Sequence, residues 1–221
     1  MGWLPTAAST YAADLDAIFY VILAITGVIF VGVEVTLLYF AIKYRGREGR
    51  KAAYIEGSNK AEVIWTVTPA VIVVGLAIAS QVVWSRVKNP DNFPTDALEL
   101  RIEGRQFAWG ITYPGSDGIL GSEDDFTKYG ELHVPVNRPV AFELTSADVI
   151  HSFFVPEFRI KQDAVPGLIT RAWFEATQVG EYELACAELC GVAHTLMKAK
   201  VIVHPQAEFD TWVAEQSTAA S

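Results

Sequence analysis

Cysteine is scarce in this chain of 221 residues, which contains two cysteines, two methionines and four histidines. Two cysteines are too few for a disulfide framework, so the chain is not one of the small secreted domains that several disulfides hold together. A CxxCH haem-attachment motif and a zinc site built from paired CxxC motifs are also excluded, because the sequence contains neither. Two possibilities remain: the two cysteines form a disulfide with each other, or they bind a metal together.

Charged side chains are almost absent from two long apolar runs. Residues 63–85 carry no charged side chain, and residues 17–42 carry only Glu34. As α-helices, both runs are long enough to cross a hydrocarbon core of about 30 Å. We therefore predict two transmembrane helices, the alternative being a buried helical hairpin of a soluble protein; an acid such as Glu34 inside a span marks a buried contact or a local water site.

The charges that flank the two apolar runs predict the orientation of this hairpin in the membrane. The first 15 residues lack the basic start of a secretory signal, so we expect no cleaved signal peptide. Positive charges concentrate between the two runs, at Lys43, Arg45, Arg47, Arg50, Lys51 and Lys60. By the positive-inside rule, that loop is cytoplasmic and everything after residue 86 lies outside. We predict a hairpin with its linker over residues 1–96 and an extracytoplasmic domain over residues 97–221.

The second part of the chain is acidic. Residues 1–96 carry eight acidic and eight basic side chains, whereas residues 97–221 carry 18 acidic and nine basic ones. All of the net charge of −9 therefore lies in the second part. This charge argues against nucleic acid as a partner and allows a basic protein partner.

Short β-type runs dominate this acidic part, and glycine or proline separates them every eight to twelve residues or so, a pattern typical of a sandwich or a Greek-key barrel. The runs are residues 97–113, 130–136, 139–146, 151–156, 171–176, 180–186 and 198–204. After them, residues 205–216 predict a short amphipathic helix with Phe209, Trp212 and Val213 on one side. His133 and His204 lie in strand-like runs and are interpreted as structural.

The segment CAELCGVAHTLM concentrates the metal-binding side chains, since it holds Cys186, Cys190, His194 and Met197 within a dozen residues. Thiolates suit copper, zinc or iron–sulfur centres, and a thioether ligand narrows the choice to copper. We expect the segment to form a loop at one end of the barrel. The second histidine of the site should be His151, because strands far apart in sequence meet there.

A mononuclear blue-copper site uses one cysteine, whereas the candidate ligands here include two thiolates. Two bridging thiolates would hold two copper ions, each with one histidine and one weak axial ligand, namely Met197 on one copper and the carbonyl of Glu188 on the other. A disulfide between Cys186 and Cys190 is one alternative. A structural zinc site with two sulfur and two nitrogen ligands is another.

Three segments and the hairpin together resemble subunit II of haem-copper cytochrome c oxidases across nearly the whole chain. The segments are NKAEVIWTVTPA, SADVIHSFFVPEFRIKQDAVPG and CAELCGVAHTLM. The resemblance implies a cupredoxin-like Greek-key barrel on a transmembrane hairpin. It also implies a binuclear copper (CuA) centre, with His151, Cys186, Glu188 through its carbonyl, Cys190, His194 and Met197 as ligands.

The resemblance further implies a function and a location. Single electrons would pass from a c-type cytochrome through the centre to haem in subunit I, where oxygen is reduced and protons are pumped. The chain would be one of several oxidase subunits in a bacterial inner (plasma) membrane, with its second domain on the outer side. A copper-free quinol-oxidase subunit II and a membrane-anchored copper-binding or assembly module are the rival interpretations.

Further positions acquire roles from the same resemblance. The carboxylate of Glu188 matches a ligand of a magnesium ion shared with subunit I, with a solvated loop acid as the alternative. RQFAWGITY resembles the family's tryptophan-rich electron-accepting patch, but Phe107 replaces the first tryptophan and Trp109 follows. Because of this departure, core packing is the alternative role for Phe107. A tethered or membrane-bound cytochrome is the alternative electron donor. Glu62 matches an acid at the mouth of a proton channel, the alternative being a surface charge.

The segment GSDGILGSEDDF has the spacing of an oxygen-rich calcium loop without matching a complete EF-hand. Asp117, Asp124 and Asp125 are the candidate ligands. A simple acidic hairpin is the alternative.

Overall fold

The computed structural model, which describes residues 3–220, contains two compact units. One unit is Asp16–Trp84, the helical hairpin. The other joins the N-terminal residues through Leu15 to Ser85–Ser221. The chain therefore leaves the second unit at Leu15 and returns to it at Ser85, whereas the predicted boundary assigned the N-terminal residues to the hairpin.

Two long helices contain the predicted membrane spans. Helix α1 is Ala12–Lys43 and helix α2 is Asn59–Lys88. Ser58 caps α2, since its hydroxyl accepts the amide N–H of Ala61 at 3.3 Å. None of the most apolar 18-residue window of either helix is buried within the chain. A hairpin of a soluble core would bury these side chains, so lipid or another protein must cover them.

The second unit is an all-β domain of ten strands in two five-stranded sheets. One sheet has the order β3-β2-β1-β5-β8 and the other β4-β10-β9-β6-β7. The strands are β1 Leu98–Arg105, β2 Ala108–Tyr113, β3 Phe126–Tyr129, β4 Glu131–Pro135, β5 Pro139–Ser146, β6 His151–Val155, β7 Ile160–Ala164, β8 Thr170–Glu175, β9 Gly180–Cys186 and β10 Lys198–His204. Helix α3, Gln206–Ala220, follows β10. The predicted fold class is confirmed.

Alternating burial builds the core between the sheets. Along β1, Leu98, Leu100 and Ile102 point inward and are buried, because successive side chains of a strand face opposite sides. Aromatic side chains fill the centre, and Phe142 lies 4.8 Å from Phe153 and 6.1 Å from Phe174 between ring centroids. Burial of each such ring stabilises the fold by about 1.5–3 kcal/mol.

The strands differ from the predicted runs in three places. Residues 97–113 form a hairpin rather than one segment, with Arg105 opposite Ala108 across a turn at residues 106–107. Strands β3 and β7 were not predicted. Strand β3 has only four residues, and β7 is a polar strand at the edge of its sheet, so neither shows the apolar alternation of a half-buried strand.

The residues before α1 pair with the barrel. The amide of Ala8 donates to the carbonyl of Glu157 at 2.9 Å, and the amide of Thr177 donates to the carbonyl of Ala8 at 2.9 Å. Ser9 forms an antiparallel bridge with Ala176, and its hydroxyl donates to the carbonyl of Phe158 at 2.8 Å. This segment therefore begins α1 on the barrel itself.

Helix α3 is held against the second sheet by aromatic and imidazole rings. The predicted amphipathic helix is present, with Phe209 buried. Trp212 stacks on His133 at 4.1 Å between centroids and 9° between planes. Nδ1 of His133 and Nε2 of His204 are 2.8 Å apart in nearly coplanar rings, so in the neutral pair one nitrogen donates to the other.

This histidine pair predicts an acid-sensitive attachment of α3. Burial lowers the pKa of both imidazoles; Glu131 opposes this at His133, where His204 and Lys128 add to the lowering, and Glu208 opposes it at His204. Since the unfolded chain binds these protons at about pH 6.5, the pair contributes stability above that pH, and the contribution is lost as the pH falls below it. The melting temperature should fall between about pH 7 and pH 5.

The double variant His133→Phe/His204→Leu is the control for this prediction. It removes both imidazoles of the pair and leaves His151 and His194 in place. Its melting temperature should depend less steeply on pH than that of the unsubstituted chain. Equal slopes in thermal melts of the two proteins would contradict the prediction.

Candidate metal centre

Two neighbouring strands bring the predicted ligands to one end of the second sheet. Strand β6 begins at His151 and β9 ends at Cys186, and these strands pair with Phe153 opposite Cys186. The loop after β9 leads directly into β10. The amide of Cys186 donates to the carbonyl of Met197 at 3.1 Å and closes this loop. The sheet thus joins residues 35 positions apart in sequence.

The sulfur and imidazole atoms form a chain of close contacts. The Sγ atoms of Cys186 and Cys190 are 3.9 Å apart. Nδ1 of His151 lies 3.9 Å from the sulfur of Cys186, and Nδ1 of His194 lies 3.6 Å from the sulfur of Cys190. Each sulfur therefore faces an imidazole of its own.

Two weaker donors complete the site, one at each sulfur. The carbonyl oxygen of Glu188 lies 3.2 Å from Sγ of Cys186. The thioether sulfur of Met197 is fully buried and lies 3.7 Å from Sγ of Cys190. All six predicted ligands are thus brought together in two halves of matching composition, each with a thiol, an imidazole and a weak donor.

This geometry differs from both alternatives for the cysteines. A disulfide requires sulfur atoms about 2.05 Å apart, whereas both thiols here are free. A tetrahedral zinc site requires four ligand atoms within about 4 Å of one another. Among the described residues only His151, Cys186 and Cys190 lie mutually within 4.8 Å, and His194 is outside this group. The spread of the nitrogen ligands suits two metal ions rather than one.

Asp148 orients the His151 imidazole. Its Oδ1 lies 2.8 Å from Nε2 of His151, so this nitrogen donates to the carboxylate and Nδ1 faces Cys186. Burial disfavours the charged form of Asp148, but hydrogen bonds from Gln106 N–H, His151 and Val149 N–H outweigh it and lower the pKa to about 2. Partners of this kind fix the ring orientation of metal-binding histidines. Sequence reasoning missed Asp148, although a carboxylate three residues before a candidate ligand is a usable signal.

The thiol of Cys190 holds its proton in the metal-free chain. Burial, followed by the neighbouring Cys186, raises the pKa of this thiol to about 11. A metal ion must displace this proton to bind, because thiolate is the ligating form.

The two aromatic residues of the predicted electron-accepting patch lie at this site. Phe107 is half-buried, and a β-carbon added to Gly191 would lie 3.2 Å from two atoms of its ring. Trp109 is fully buried and contacts His151 edge to face, with 6.0 Å between ring centroids. Phe107 therefore packs on the cysteine loop, and Trp109 packs behind the histidine.

The remaining predicted residues lie elsewhere. The side chain of Glu188 is exposed, and Glu62 is exposed in the first turn of α2. In the acidic loop, the carboxylate of Asp124 accepts hydrogen bonds from Ser116, Ser122 and the amide of Asp117. These bonds are those of a self-contained hairpin.

The loop's three acids, Asp117, Asp124 and Asp125, are not among the clusters of close metal-ligating atoms found within residues 3–220. Calcium binding there stays a prediction.

Comparison with known proteins gives a consistent result over both units. The profile of the family "Cytochrome C oxidase subunit II, periplasmic domain" matches residues 98–204, and that of the transmembrane domain of the same subunit matches residues 1–83. Alternative cytochrome c oxidase subunit 2 of Bradyrhizobium diazoefficiens is 34% identical, over 99% of this chain and 86% of that protein. Cytochrome c oxidase subunit 2 of Thermostichus vulcanus is 34% identical, over 100% of this chain and 80% of that protein.

A solved structure agrees with the barrel. The crystal structure of the periplasmic domain of subunit II of cytochrome oxidase (CoxB) of Bradyrhizobium japonicum superposes with a TM-score of 0.52 at 30% identity, covering 58% of this chain and 99% of that chain. Family profiles, relatives over the full length and the sulfur–imidazole site therefore agree that the chain belongs to the cytochrome c oxidase subunit II family, a membrane-anchored component of haem-copper oxidases.

Proposed function

We propose that this chain accepts single electrons at a dinuclear copper centre of the CuA type and passes them on within the oxidase. One observation carries the proposal: two unbonded cysteine sulfurs lie 3.9 Å apart, and each faces its own histidine nitrogen. The proposed ligands are His151, Cys186, the carbonyl of Glu188, Cys190, His194 and Met197. These residues would hold two copper ions, which would supply one-electron transfer chemistry when bound.

The residues of the chain supply a fixed and largely dry frame for this chemistry. His151, Cys190 and Met197 are at most 3% exposed and Cys186 is 8% exposed, so water is kept from the three sulfurs and from His151, whereas His194 is half-buried. Strand pairing holds Cys186, and the carboxylate of Asp148 holds His151. A frame held in this way changes little when an electron arrives, and the weak donors Met197 and the Glu188 carbonyl would tune the potential more than they hold the metal.

Phe107 and Trp109 support a route for electrons into the site. Phe107 is half-buried against the cysteine loop, and Trp109 touches His151. We infer that a c-type cytochrome, soluble or tethered, docks at Phe107. The net negative charge of the barrel domain favours a donor with a basic surface.

Exposed apolar side chains around the cysteine loop support a protein partner at this end of the barrel. Leu189, Val192 and Leu196 are 77%, 101% and 77% exposed. Apolar groups so placed usually lie under another protein. We infer that subunit I, bearing haem and copper, covers part of this surface and receives the electron, and that other oxidase subunits complete the complex.

We also infer that the barrel lies on the outer side of a bacterial inner membrane. The loop between the helices is rich in Lys and Arg, which favours the cytoplasm. The segment before α1 pairs with the barrel, so α1 must begin on the barrel's side of the membrane, as two spans require. At the cytoplasmic end of α2, Glu62 is proposed to admit protons to subunit I; unchanged proton uptake by a Glu62→Gln complex would exclude this.

The rival functions fit the site less well. A copper-free quinol-oxidase subunit needs none of the six ligands, yet all are assembled here. An assembly module would bind copper singly and exchangeably. The stoichiometry and spectrum of the bound copper separate it from an electron carrier.

The first test is copper reconstitution of the full chain in detergent, since the N-terminal segment is part of the barrel unit. We expect two copper ions per chain and a paramagnetic resonance spectrum in which one unpaired electron couples to both nuclei. Cys186→Ser and Cys190→Ser should each abolish this spectrum, whereas Met197→Leu should retain copper with a shifted potential. A single-nucleus pattern in the unsubstituted chain would exclude the dinuclear centre.

A second test concerns the aromatic route. Phe107→Ala should slow electron uptake from cytochrome c by about an order of magnitude or more while leaving the copper spectrum unchanged, because the ring contacts the loop but donates no ligand. Tyr129→Ala, at an exposed tyrosine of β3, serves as the control. Equal uptake rates for the two variants in stopped-flow measurements would count against a role for Phe107.

Two further ions are proposed, one at Glu188 and one in the acidic loop. The exposed carboxylate of Glu188 is free to bind magnesium shared with subunit I, and the acidic loop with Asp117, Asp124 and Asp125 is a candidate for calcium. Elemental analysis of the purified complex tests both ions. Glu188→Gln should remove magnesium alone and Asp124→Asn calcium alone; an ion content that neither change alters would exclude these sites.

A further inference from the structure

The turn between β1 and β2 contacts both halves of the metal site. From the geometry we propose that Gly104 and Gln106 are positioning residues for the site, Gly104 for the His151 half and Gln106 for the Cys190 half. The inference rests on the proposed copper function, whereas the contacts that support it are formed by protein atoms alone. Neither residue was a candidate from the sequence.

Gly104 provides the space that the His151 imidazole occupies. The inward positions of β1 are Leu98, Leu100, Ile102 and Gly104, so the pattern calls for a fourth apolar side chain at residue 104. A β-carbon there would lie 3.0 Å from Cδ2 of His151 and 3.1 Å from Cζ3 of Trp109. These distances are shorter than ordinary carbon contacts of about 3.5–4.0 Å. Any larger residue at this position must therefore displace the imidazole from its place beside Cys186.

Gln106 connects the two ligand loops through two donors. Its side-chain Nε2 donates to the carbonyl of Cys190 at 2.6 Å. Its main-chain N–H donates at 2.7 Å to Oδ2 of Asp148, whose other oxygen holds His151. The two bonds have different chemical origins: any residue except proline retains the main-chain donor, whereas only a side chain with a suitable donor reaches Cys190.

Gly191 allows the side chain of Gln106 to approach the carbonyl of Cys190. A β-carbon at Gly191 would lie 2.8 Å from Nε2 of Gln106, and the residue has a φ of +134°. The absence of a side chain therefore lets the turn lie directly against the cysteine loop. Since Cys190 contacts both His194 and Met197, a shift of its main chain acts first on the second half of the site and reaches the His151 half only through the sulfur of Cys186.

The test uses Gln106→Met, which keeps length and shape and removes the donor. The full chain is reconstituted with copper, and the paramagnetically shifted proton resonances of the two histidine ligands are recorded with the metal content and the potential. We expect two copper ions per chain, a larger shift of the resonances of His194 than of those of His151, and an altered potential. Gln178→Met is the matched control, because Gln178 also donates to a main-chain carbonyl, that of Ala7 at 3.2 Å.

Gly104→Ala tests the other half. We expect the His151 resonances to shift or disappear while those of His194 remain. Gly110→Ala is its control, because the β-carbon would there meet the ring of exposed Tyr129 at 3.0 Å rather than a ligand. Thermal melts of the metal-free variants identify any variant that does not fold, in which case Gln106→Met decides alone.

Three outcomes are distinguishable. A larger shift for His194 in Gln106→Met and a larger shift for His151 in Gly104→Ala together support the inference. Spectra and potentials equal to those of the controls overturn it, as does a shift in Gln106→Met that is no larger for His194 than for His151, which would indicate that the site loosens as a whole. If the unsubstituted chain itself lacks a two-copper spectrum, the proposed function fails instead.

Discussion

The structure depends on keeping two cysteine sulfurs close without bonding them to each other. At 3.9 Å they are too far apart for a disulfide and close enough to serve together as ligands of a metal centre. The pairing of β6 with β9 fixes the first sulfur, and the loop that returns to β10 fixes the second. Each sulfur has its own imidazole, so the site is divided into halves before any metal binds.

The barrel supplies this arrangement through non-local contacts. His151 comes from one strand, the cysteines from the end of another, and the turn that supports both loops from the opposite sheet. Because the sheets are packed through aromatic rings, the ligands rest on parts of the fold that move little. The electron-transfer site is therefore an extension of the core rather than a loop attached to it.

Much of this could be predicted from the sequence, and the limits have physical reasons. The long apolar runs predicted the two helices, and the spacing of two thiols, an imidazole and a thioether predicted a metal loop, because both are local patterns. Gln106 was missed because its hydrogen bonds reach a carboxylate and a main-chain carbonyl that are distant in sequence. Asp148 lies only three residues before His151, but its role depends on the direction in which its carboxylate points, which the sequence does not give. Gly104 was missed because the space beside it is filled by His151 from another strand, and the apolar alternation of β1 alone does not show this. Strand β7 was missed because its polar side chains carry no apolar alternation.

The pairing of the N-terminal segment with Ala176 has a consequence for any shortened form of the domain. Residues through Leu15 belong to the same compact unit as the barrel, and the hydroxyl of Ser9 donates to the carbonyl of Phe158 at 2.8 Å. A fragment that begins after the second helix lacks this segment, so the carbonyl of Glu157 and the amide of Thr177 lose Ala8 as their hydrogen-bond partner. A barrel excised in this way should be less stable than the same barrel in the full chain.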